Sequence, residues 1–249
     1  TLSGAGSLNN SGTITMTGTY SATGAVTNNG TLNINSGTYN QPSTTNNGTI
    51  NVRGTGQIQQ GFTGGGAASK LVFDGATNFT TAANITNTGQ FNLTNSSNVT
   101  LNKTLSGGSF SVDSTSALTI TTGATNAGSG TNNNNLTFSG TPTNNGSITN
   151  NKTVTFNAGT TLSGSGSITN TSPGTITVNG LVSCANNISN NNNMTISSGA
   201  TLTNTGILTN SSPGTLSISG TLDGAGSLIN NNSAIISISS GGIFSQTGA

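Results

Sequence analysis

The sequence predicts an all-β chain that forms a single parallel β-solenoid, with three strands in each turn and about 12 turns of 18–22 residues. Three observations predict this fold. Pairs of apolar residues recur at nearly constant intervals, a finer spacing of six residues runs inside each interval, and glycine recurs at the same finer spacing. Alternation of period two between the glycines is typical of strands and excludes amphipathic helices. Crossovers between parallel strands are right-handed as a rule, so we expect a right-handed coil.

Twelve apolar-x-apolar pairs mark the repeat. Their first members lie 18 to 22 residues apart, except for one step of 27 residues between Phe91 and Leu118. The pairs are Ile14/Met16, Leu32/Ile34, Ile50/Val52, Leu71/Phe73, Phe91/Leu93, Leu118/Ile120, Leu136/Phe138, Val154/Phe156, Ile176/Val178, Met194/Ile196, Leu216/Ile218 and Ile236/Ile238. Each pair is interpreted as one strand of a turn with both side chains in the core.

The six-residue spacing divides each turn into three short strands. Glycine commonly stands two residues before each apolar position, as Gly12, Gly24 and Gly30 do. Because glycine enters left-handed backbone without steric cost, we expect these glycines to form the corners in that conformation. The second strand then has the pattern apolar-x-small, as in Leu222-Asp223-Gly224, and the third has the pattern apolar-x-Asn.

The asparagine of the third strand recurs in most turns. An inward asparagine can stack on the asparagine of the next turn, since its amide offers two donors and one carbonyl acceptor. The sequence therefore predicts a structural asparagine ladder with no binding or catalytic role. Its members are Asn10, Asn28, Asn46, Asn87, Asn132, Asn150, Asn170, Asn190, Asn210 and Asn230.

Two stretches depart from the six-residue spacing. Residues 53–70 contain the triplet Gly64 to Gly66, and residues 95–113 fall within the long 27-residue step. We expect both stretches to leave the solenoid as longer loops, within a single domain that spans residues 1–249.

The composition excludes several classes of partner. Charged residues are 3% of the chain, and the four basic residues (Arg53, Lys70, Lys103 and Lys152) are far apart in sequence. Nucleic-acid binding and adsorption to anionic lipid both need clustered basic residues, so we expect neither. No apolar run reaches the ~20 residues of a membrane-spanning helix, so we expect no membrane insertion. The single cysteine, Cys184, is interpreted as a small buried apolar residue.

The same composition argues against an enzyme. The only acids are Asp74, Asp113 and Asp223, and histidine and glutamate are absent. General acid–base catalysis needs two groups placed across one substrate, and neither a metal-ligand cluster nor a phosphate-binding loop is present in the sequence. We therefore expect no catalytic residues, no metal site and no cofactor.

The strings at residues 6–15 (GSLNNSGTIT) and 27–38 (TNNGTLNINSGT) resemble the repeats of secreted bacterial β-helical adhesins. The families meant are the filamentous-haemagglutinin-like proteins and the passengers of autotransporters. The resemblance covers nearly the whole chain as a style of repeat. It implies a right-handed β-helix that is displayed on, or released from, a bacterial surface, and it assigns no functional residue.

These observations favour an extracellular, non-enzymatic structural protein: a surface fibre subunit or an adhesin, secreted by a bacterial-type route. Repeats run from Leu2 to about Phe244 without a charged or helical cap, so we expect a partner at the ends of the solenoid. That partner is either a longer parent chain or a second copy stacked head to tail, and adhesion would add a host-surface or matrix glycan. The alternative is an ice-binding or glycan-binding module. Outward threonines such as Thr153 and Thr155 favour ice, but Asn33 and Lys70 interrupt the expected array.

Overall fold

A computed structural model of the chain describes residues 2–41 and 43–248. Within this part of the chain the regular structure is all β, with 38 strands and no helix. The strands form twelve turns of three strands each, and the strands β37 and β38 follow the twelfth turn. The predicted all-β solenoid is thus confirmed. The chain divides into two compact units, residues 1–118 and residues 119–249, which are described separately.

Unit 1 contains six turns. Its strands are β1 (Leu2–Gly4), β2 (Leu8–Asn10), β3 (Thr13–Met16), β4 (Tyr20–Ala22), β5 (Val26–Asn28), β6 (Thr31–Ile34), β7 (Thr38–Asn40), β8 (Thr44–Asn46), β9 (Thr49–Gly54), β10 (Gln57–Ile58), β11 (Thr63–Gly64), β12 (Lys70–Ala76), β13 (Phe79–Thr80), β14 (Ile85–Asn87), β15 (Gln90–Thr94), β16 (Asn98–Leu101), β17 (Leu105–Ser106) and β18 (Ser109–Val112). Every third strand stacks in the same parallel sheet in the orders β2-β5-β8-β11-β14-β17 and β3-β6-β9-β12-β15-β18, while the sheet β1-β4-β7-β10 ends at β10 and another begins at β13. The strand β19 (Ala117–Ile120) spans the boundary between the units.

Unit 2 repeats this arrangement. Its strands are β20 (Thr125–Asn126), β21 (Ser129–Asn132), β22 (Asn135–Phe138), β23 (Thr143–Asn144), β24 (Ser147–Asn150), β25 (Thr153–Phe156), β26 (Thr160–Leu162), β27 (Ser167–Asn170), β28 (Thr175–Val178), β29 (Leu181–Cys184), β30 (Asn187–Asn190), β31 (Asn193–Ile196), β32 (Thr201–Asn204), β33 (Ile207–Ser211), β34 (Thr215–Ile218), β35 (Thr221–Asp223), β36 (Ser227–Asn231), β37 (Ile235–Ile238) and β38 (Ile243–Phe244). Its main parallel sheets have the orders β21-β24-β27-β30-β33-β36, β22-β25-β28-β31-β34-β37 and β26-β29-β32-β35-β38.

The register of the strands places the core as the alternation predicts. Leu32 pairs with Ile50 and Ile34 with Val52, and all four side chains are buried. In unit 2 Val154 lies opposite Ile176 in the same way. Fully burying such an aliphatic side chain stabilises the fold by about 1.5–3 kcal/mol. Most of the large apolar side chains of each unit therefore face its interior, although only 29% of the chain is hydrophobic.

The stretch 95–113 differs from the expectation of a loop. It holds strands β16, β17 and β18, which pair in parallel with strands of the preceding turn. This turn carries two buried apolar pairs, Val99/Leu101 and Phe110/Val112, where the repeat assigns one. The 27-residue step therefore contains a complete turn, β16 to β18, in which β16 and β18 each carry one apolar pair. In the stretch 53–70, β10 and β11 have two residues each and the remainder is mostly turns and loops.

The predicted left-handed backbone is found at some corner glycines, such as Gly180 with a φ of 108°, but other corners need glycine for a different reason. Gly24, Gly30 and Gly48 do not have positive φ angles. A Cβ atom on Gly30 would instead lie 2.1 Å from the carbonyl oxygen of Gly12, and one on Gly48 would lie 2.1 Å from that of Gly30. Each of these corners lies directly on the backbone of the turn before, so a side chain has no room.

Candidate functional site

The first asparagine ladder lies inside unit 1. Nδ2 of Asn10 donates to Oδ1 of Asn28 at 2.7 Å, and Nδ2 of Asn28 donates to Oδ1 of Asn46 at 2.8 Å. The same Nδ2 of Asn10 also donates to the Thr31 carbonyl at 3.0 Å, so one amide joins a side chain and the backbone of the next turn. All three asparagines are buried, as the sequence predicts.

This ladder is interrupted at β11, where Gly64 takes the position between Asn46 and Asn87. The hydroxyl of Ser69 fills the gap and donates to Oδ1 of Asn87 at 2.9 Å. A Cβ atom on Gly64 would lie 2.5 Å from that Oδ1 and 2.8 Å from the serine hydroxyl oxygen. Gly64 and Ser69 therefore replace one asparagine together, and the buried amide of Asn87 keeps a partner.

Unit 2 holds a second and longer ladder. Five hydrogen bonds of 2.7–2.8 Å join six successive asparagines, each from Nδ2 to the Oδ1 of the next turn. The members are Asn132, Asn150, Asn170, Asn190, Asn210 and Asn230. Five are buried, but Asn230 is exposed because β36 is the last strand of its sheet. The ten predicted residues thus form one series in each unit.

Apart from the last bond to the exposed Asn230, the ladder bonds satisfy groups that are buried away from water. A buried donor or acceptor left without a partner costs about 1–3 kcal/mol. In both ladders Nδ2 also donates to the carbonyl of the first residue of an apolar strand. Asn132, for example, donates to the carbonyl of Thr153, the first residue of β25, at 2.8 Å. The ladders therefore fix the corner between two strands and the stacking of the turns, and they present no amide to a ligand except at Asn230.

The sequence analysis missed a further group of buried amides in unit 2. Nδ2 of Asn126 donates to Oδ1 of Asn144 at 2.9 Å, and Nδ2 of Asn144 donates to Oδ1 of Asn186 at 3.2 Å. Asn126, Asn144 and Asn204 also donate to the carbonyl of the glycine two residues later. The pattern Asn-x-Gly was the available signal, because the amide folds back onto the carbonyl at the corner.

Two of the three acidic residues, Asp74 and Asp113, lie near each other because both bind Asn95. Asp74 forms an ion pair of 2.6 Å with Nε of Arg53 and accepts from the side chain of Asn95, while Asp113 accepts from the backbone N–H of Asn95 at 2.8 Å. The hydrogen bond from Arg53, followed by that from Asn95, lowers the pKa of Asp74. Burial acts to raise the pKa of Asp113, but hydrogen bonds from Thr115 and its neighbours outweigh it and the pKa is lowered. Both carboxylates tie one turn of unit 1 to the next.

The remaining chemically distinctive groups lie in the interior. Burial raises the pKa of the Cys184 thiol to about 11, which fits the predicted small apolar role. Burial also raises the pKa of Tyr39 to about 12, and its hydroxyl lies 2.7 Å from that of Thr44. Five aromatic rings that a glycan-binding surface would need to expose are all buried. They are Tyr20, Tyr39, Phe62, Phe79 and Phe110.

The outward side chains of β22, β25, β28, β31, β34 and β37 form a regular array, here called the hydroxyl face. Register aligns them in two columns, in which nine of the twelve positions are threonine or serine. The columns are Asn135, Thr153, Thr175, Asn193, Thr215 and Ile235, and Thr137, Thr155, Thr177, Thr195, Ser217 and Ser237. The interrupting residues Asn33 and Lys70 lie on β6 and β12 of unit 1, so they are outside this array.

Apolar residues are exposed at the strands β36, β37 and β38, here called the edge turn. Ile235, Ile238, Ile243 and Phe244 are between 46% and 58% exposed, in contrast to the buried core residues of the earlier turns. In unit 1 the strands β1, β2 and β3 are here called the first turn, and β2 and β3 border an open cavity of about 350 Å³. Its apolar lining includes Leu8, Ile14, Met16 and Tyr20. Both surfaces expose what other turns bury against a neighbour.

Comparison with protein-family models finds no match, and comparisons with curated proteins and with solved structures find none either. Across residues 2–41 and 43–248, no three His, Cys, Asp or Glu side chains lie together as a metal site would require. The same residues include no helix that is long and apolar enough to cross a membrane.

Proposed function

We propose that the chain is a non-enzymatic structural protein, a subunit of an extracellular surface fibre or adhesin that assembles by stacking its turns on those of another copy. The observation that carries this proposal is the apolar edge turn. Its strands end three parallel sheets, and Ile238 and Phe244 occupy core positions but are exposed. Secretion by a bacterial-type route and display on a cell surface belong to the same proposal, on the strength of the resemblance to β-helical adhesin repeats.

Open strand edges explain why stacking is favourable. An edge strand presents unpaired N–H and C=O groups that can pair with another strand. Each parallel sheet of the edge turn offers such a row, with exposed isoleucines beside it. Neither residues 3–16 nor residues 227–248 contain a charged side chain, so no like charges oppose the contact. A contact between two different surfaces of identical copies does not close on itself and produces filaments.

Negative-stain electron microscopy of the purified chain, together with sedimentation, tests this proposal. We expect filaments at micromolar concentration, and we expect the double variant Ile238→Asp/Phe244→Asp to remain dispersed because charge at an apolar contact must be desolvated. Leu181→Asp is the matched control, since Leu181 is 67% exposed but lies in β29, between β26 and β32 of its sheet. Dispersed particles of the unchanged chain at high concentration would contradict the proposal.

The hydroxyl face favours a second function, ice binding. Parallel strands about 4.8 Å apart, with outward residues about 6.6 Å apart along each strand, place its hydroxyl and methyl groups on a two-dimensional lattice. A lattice of this kind can hold surface water in an ordered arrangement. Glycan binding lacks comparable support, because every aromatic ring among the described residues except Phe244 is buried.

Thermal hysteresis of the purified chain distinguishes this second function. If the hydroxyl face binds ice, the freezing point falls below the melting point, and Thr177→Tyr abolishes the gap because a large ring breaks the flat array. Thr169→Tyr is the control, since Thr169 faces outward on β27 in a different sheet. The absence of hysteresis in the unchanged chain removes ice binding as a function.

A further inference from the structure

Four corners of the solenoid carry an asparagine followed directly by a glycine. These Asn-Gly steps are Asn29-Gly30, Asn47-Gly48, Asn145-Gly146 and Asn179-Gly180. We infer that, of these four, Asn179-Gly180 is the step at which the folded chain deamidates spontaneously, so that Asn179 becomes aspartate or isoaspartate. The reaction consumes water and needs no second copy, and it is therefore independent of the proposed assembly.

An Asn-Gly step can close on itself because the glycine nitrogen follows the asparagine directly and no side chain obstructs its approach. The backbone nitrogen of Gly180 loses its proton and attacks Cγ of Asn179, which forms a new N–C bond. The side-chain amide nitrogen takes up a proton and leaves as ammonia, and a succinimide ring remains. Water then opens the ring at one of its two carbonyl groups, which gives aspartate or isoaspartate. No oxidant or reductant is required.

The two Asn-Gly steps of unit 1 are protected by backbone hydrogen bonds. The Gly30 N–H donates to the carbonyl of Asn10 at 3.0 Å, and the Gly48 N–H donates to the carbonyl of Asn28 at 2.9 Å. A nitrogen whose proton is held by a carbonyl oxygen cannot attack until that bond opens. Because each bond joins two stacked turns, opening requires local unfolding of the corner. Both steps should therefore react slowly in the folded chain.

The Asn145-Gly146 step is protected by burial. Gly146 is buried, and a Cβ atom on it would lie 2.0 Å from the carbonyl oxygen of Gly128 in the turn before. Oδ1 of Asn145 accepts from the backbone N–H of Ser165 at 3.1 Å, which ties this side chain to the next turn. Hydroxide has no access to the Gly146 nitrogen while these turns are stacked, so this step also requires local opening.

Asn179-Gly180 lies at a more open corner, between β28 and β29. Asn179 is exposed and Gly180 is half-buried. Among residues 2–41 and 43–248, the Gly180 N–H donates to no acceptor. The Ser197 hydroxyl donates to Oδ1 of Asn179 at 3.0 Å, and this bond stabilises the negative charge that develops on that oxygen when Cγ is attacked. The attacking nitrogen is thus accessible and the carbon that it attacks is activated.

Deamidation at this corner places a carboxylate beside the hydroxyl face. Asn179 directly follows β28, which contributes Thr175 and Thr177 to that face. The formal net charge of the chain is +1, and replacing one neutral amide by a carboxylate lowers it by one, to zero. The product is therefore separable from the unchanged chain by isoelectric focusing.

Peptide mass spectrometry of the folded chain, after incubation in mildly alkaline buffer, tests the inference. Trypsin cleaves after lysine and arginine, so Asn29 and Asn47 fall in the peptide 1–53, Asn145 in 104–152 and Asn179 in 153–249. Fragmentation of each peptide locates the modified residue. We expect Asn179 to deamidate at least about tenfold faster than Asn29 and Asn47, because those two corners must first break a backbone hydrogen bond.

The chain unfolded in urea is the first control, since all four steps should then react at similar rates. Asn179→Gln should suppress the main acidic form on isoelectric focusing, because glutamine must close a larger ring and does so slowly. Asn47→Gln is the matched variant and should leave that form unchanged. Equal rates at the four steps of the folded chain, or an acidic form that persists in Asn179→Gln, would overturn the inference. So would a folded chain in which Asn179 does not react.

Discussion

Replacing Asn170 by aspartate is expected to lower the free energy of unfolding by about 3–5 kcal/mol at neutral pH. Asn170 is fully buried in the middle of the second ladder. Its Nδ2 donates to Oδ1 of Asn190 at 2.8 Å and to the Asn193 carbonyl at 3.0 Å. An aspartate of the same size loses both donors, faces two buried acceptors and adds a charge with no counterion. Urea unfolding followed by circular dichroism measures the change.

The matched control is Asn157→Asp, at an exposed corner residue of the same unit. A surface substitution of this kind changes stability by less than about 0.5 kcal/mol. The deficit of the Asn170 variant should also narrow as the pH falls, because a protonated carboxyl group regains one donor. Equal effects of the two substitutions would show that the buried amides do not hold the turns together.

The strand pattern and the inward asparagines could be predicted because their cause is local. Six-residue spacing with alternation fixes which side chains face inward, and an inward asparagine must find partners in the adjacent turn. Asn28 and Asn170 therefore lie where the sequence places them. The hydrogen-bond partner of Asn87 could not be predicted, because it is not another asparagine of the repeat. Ser69 contacts Asn87 from a loop, and the missing side chain of Gly64 leaves room for this contact.

The turn at 95–113 was missed because one apolar pair was assigned to each turn. Val99/Leu101 and Phe110/Val112 are buried in the same turn, so a count of pairs at constant spacing passes over one of them. The corner glycines show the same limit in another form. Gly30 is needed because a Cβ atom there would meet the Gly12 carbonyl of the turn before, and this depends on how the turns stack. The sequence alone suggested that a positive φ angle requires the glycine.

The hydroxyl face likewise depends on register between turns. Thr155 and Thr177 are 22 residues apart, while Asn33 and Asn51 are 18 apart, and only strand pairing shows that these sets belong to different sheets. Sequence spacing alone merged them into one irregular array. The exposure of Ile238 and Phe244 is also invisible in the sequence, because their pattern is that of core residues.

Replacing Phe73 by alanine is expected to destabilise unit 1 by about 3–5 kcal/mol. Phe73 is fully buried, and its ring centroid lies 4.6 Å from that of Phe79 and 5.2 Å from that of Phe91. Truncation removes the apolar contact area and leaves a cavity between rings that adjacent strands hold apart, so the space cannot close. Thermal and urea unfolding measure the loss, and Phe73→Leu should lose less because it retains more of the volume.

Leu181→Ala provides the control, since that side chain is 67% exposed in β29, away from the edge turn, and its removal leaves no enclosed cavity. Because contacts in a solenoid join neighbouring turns, the Phe73 variant should lose hydrogen-exchange protection first in β9, β12 and β15, and less in β6. Uniform loss across these four strands would indicate that unit 1 unfolds as one cooperative block. Unchanged stability would show that this aromatic cluster does not hold the middle turns of unit 1 together.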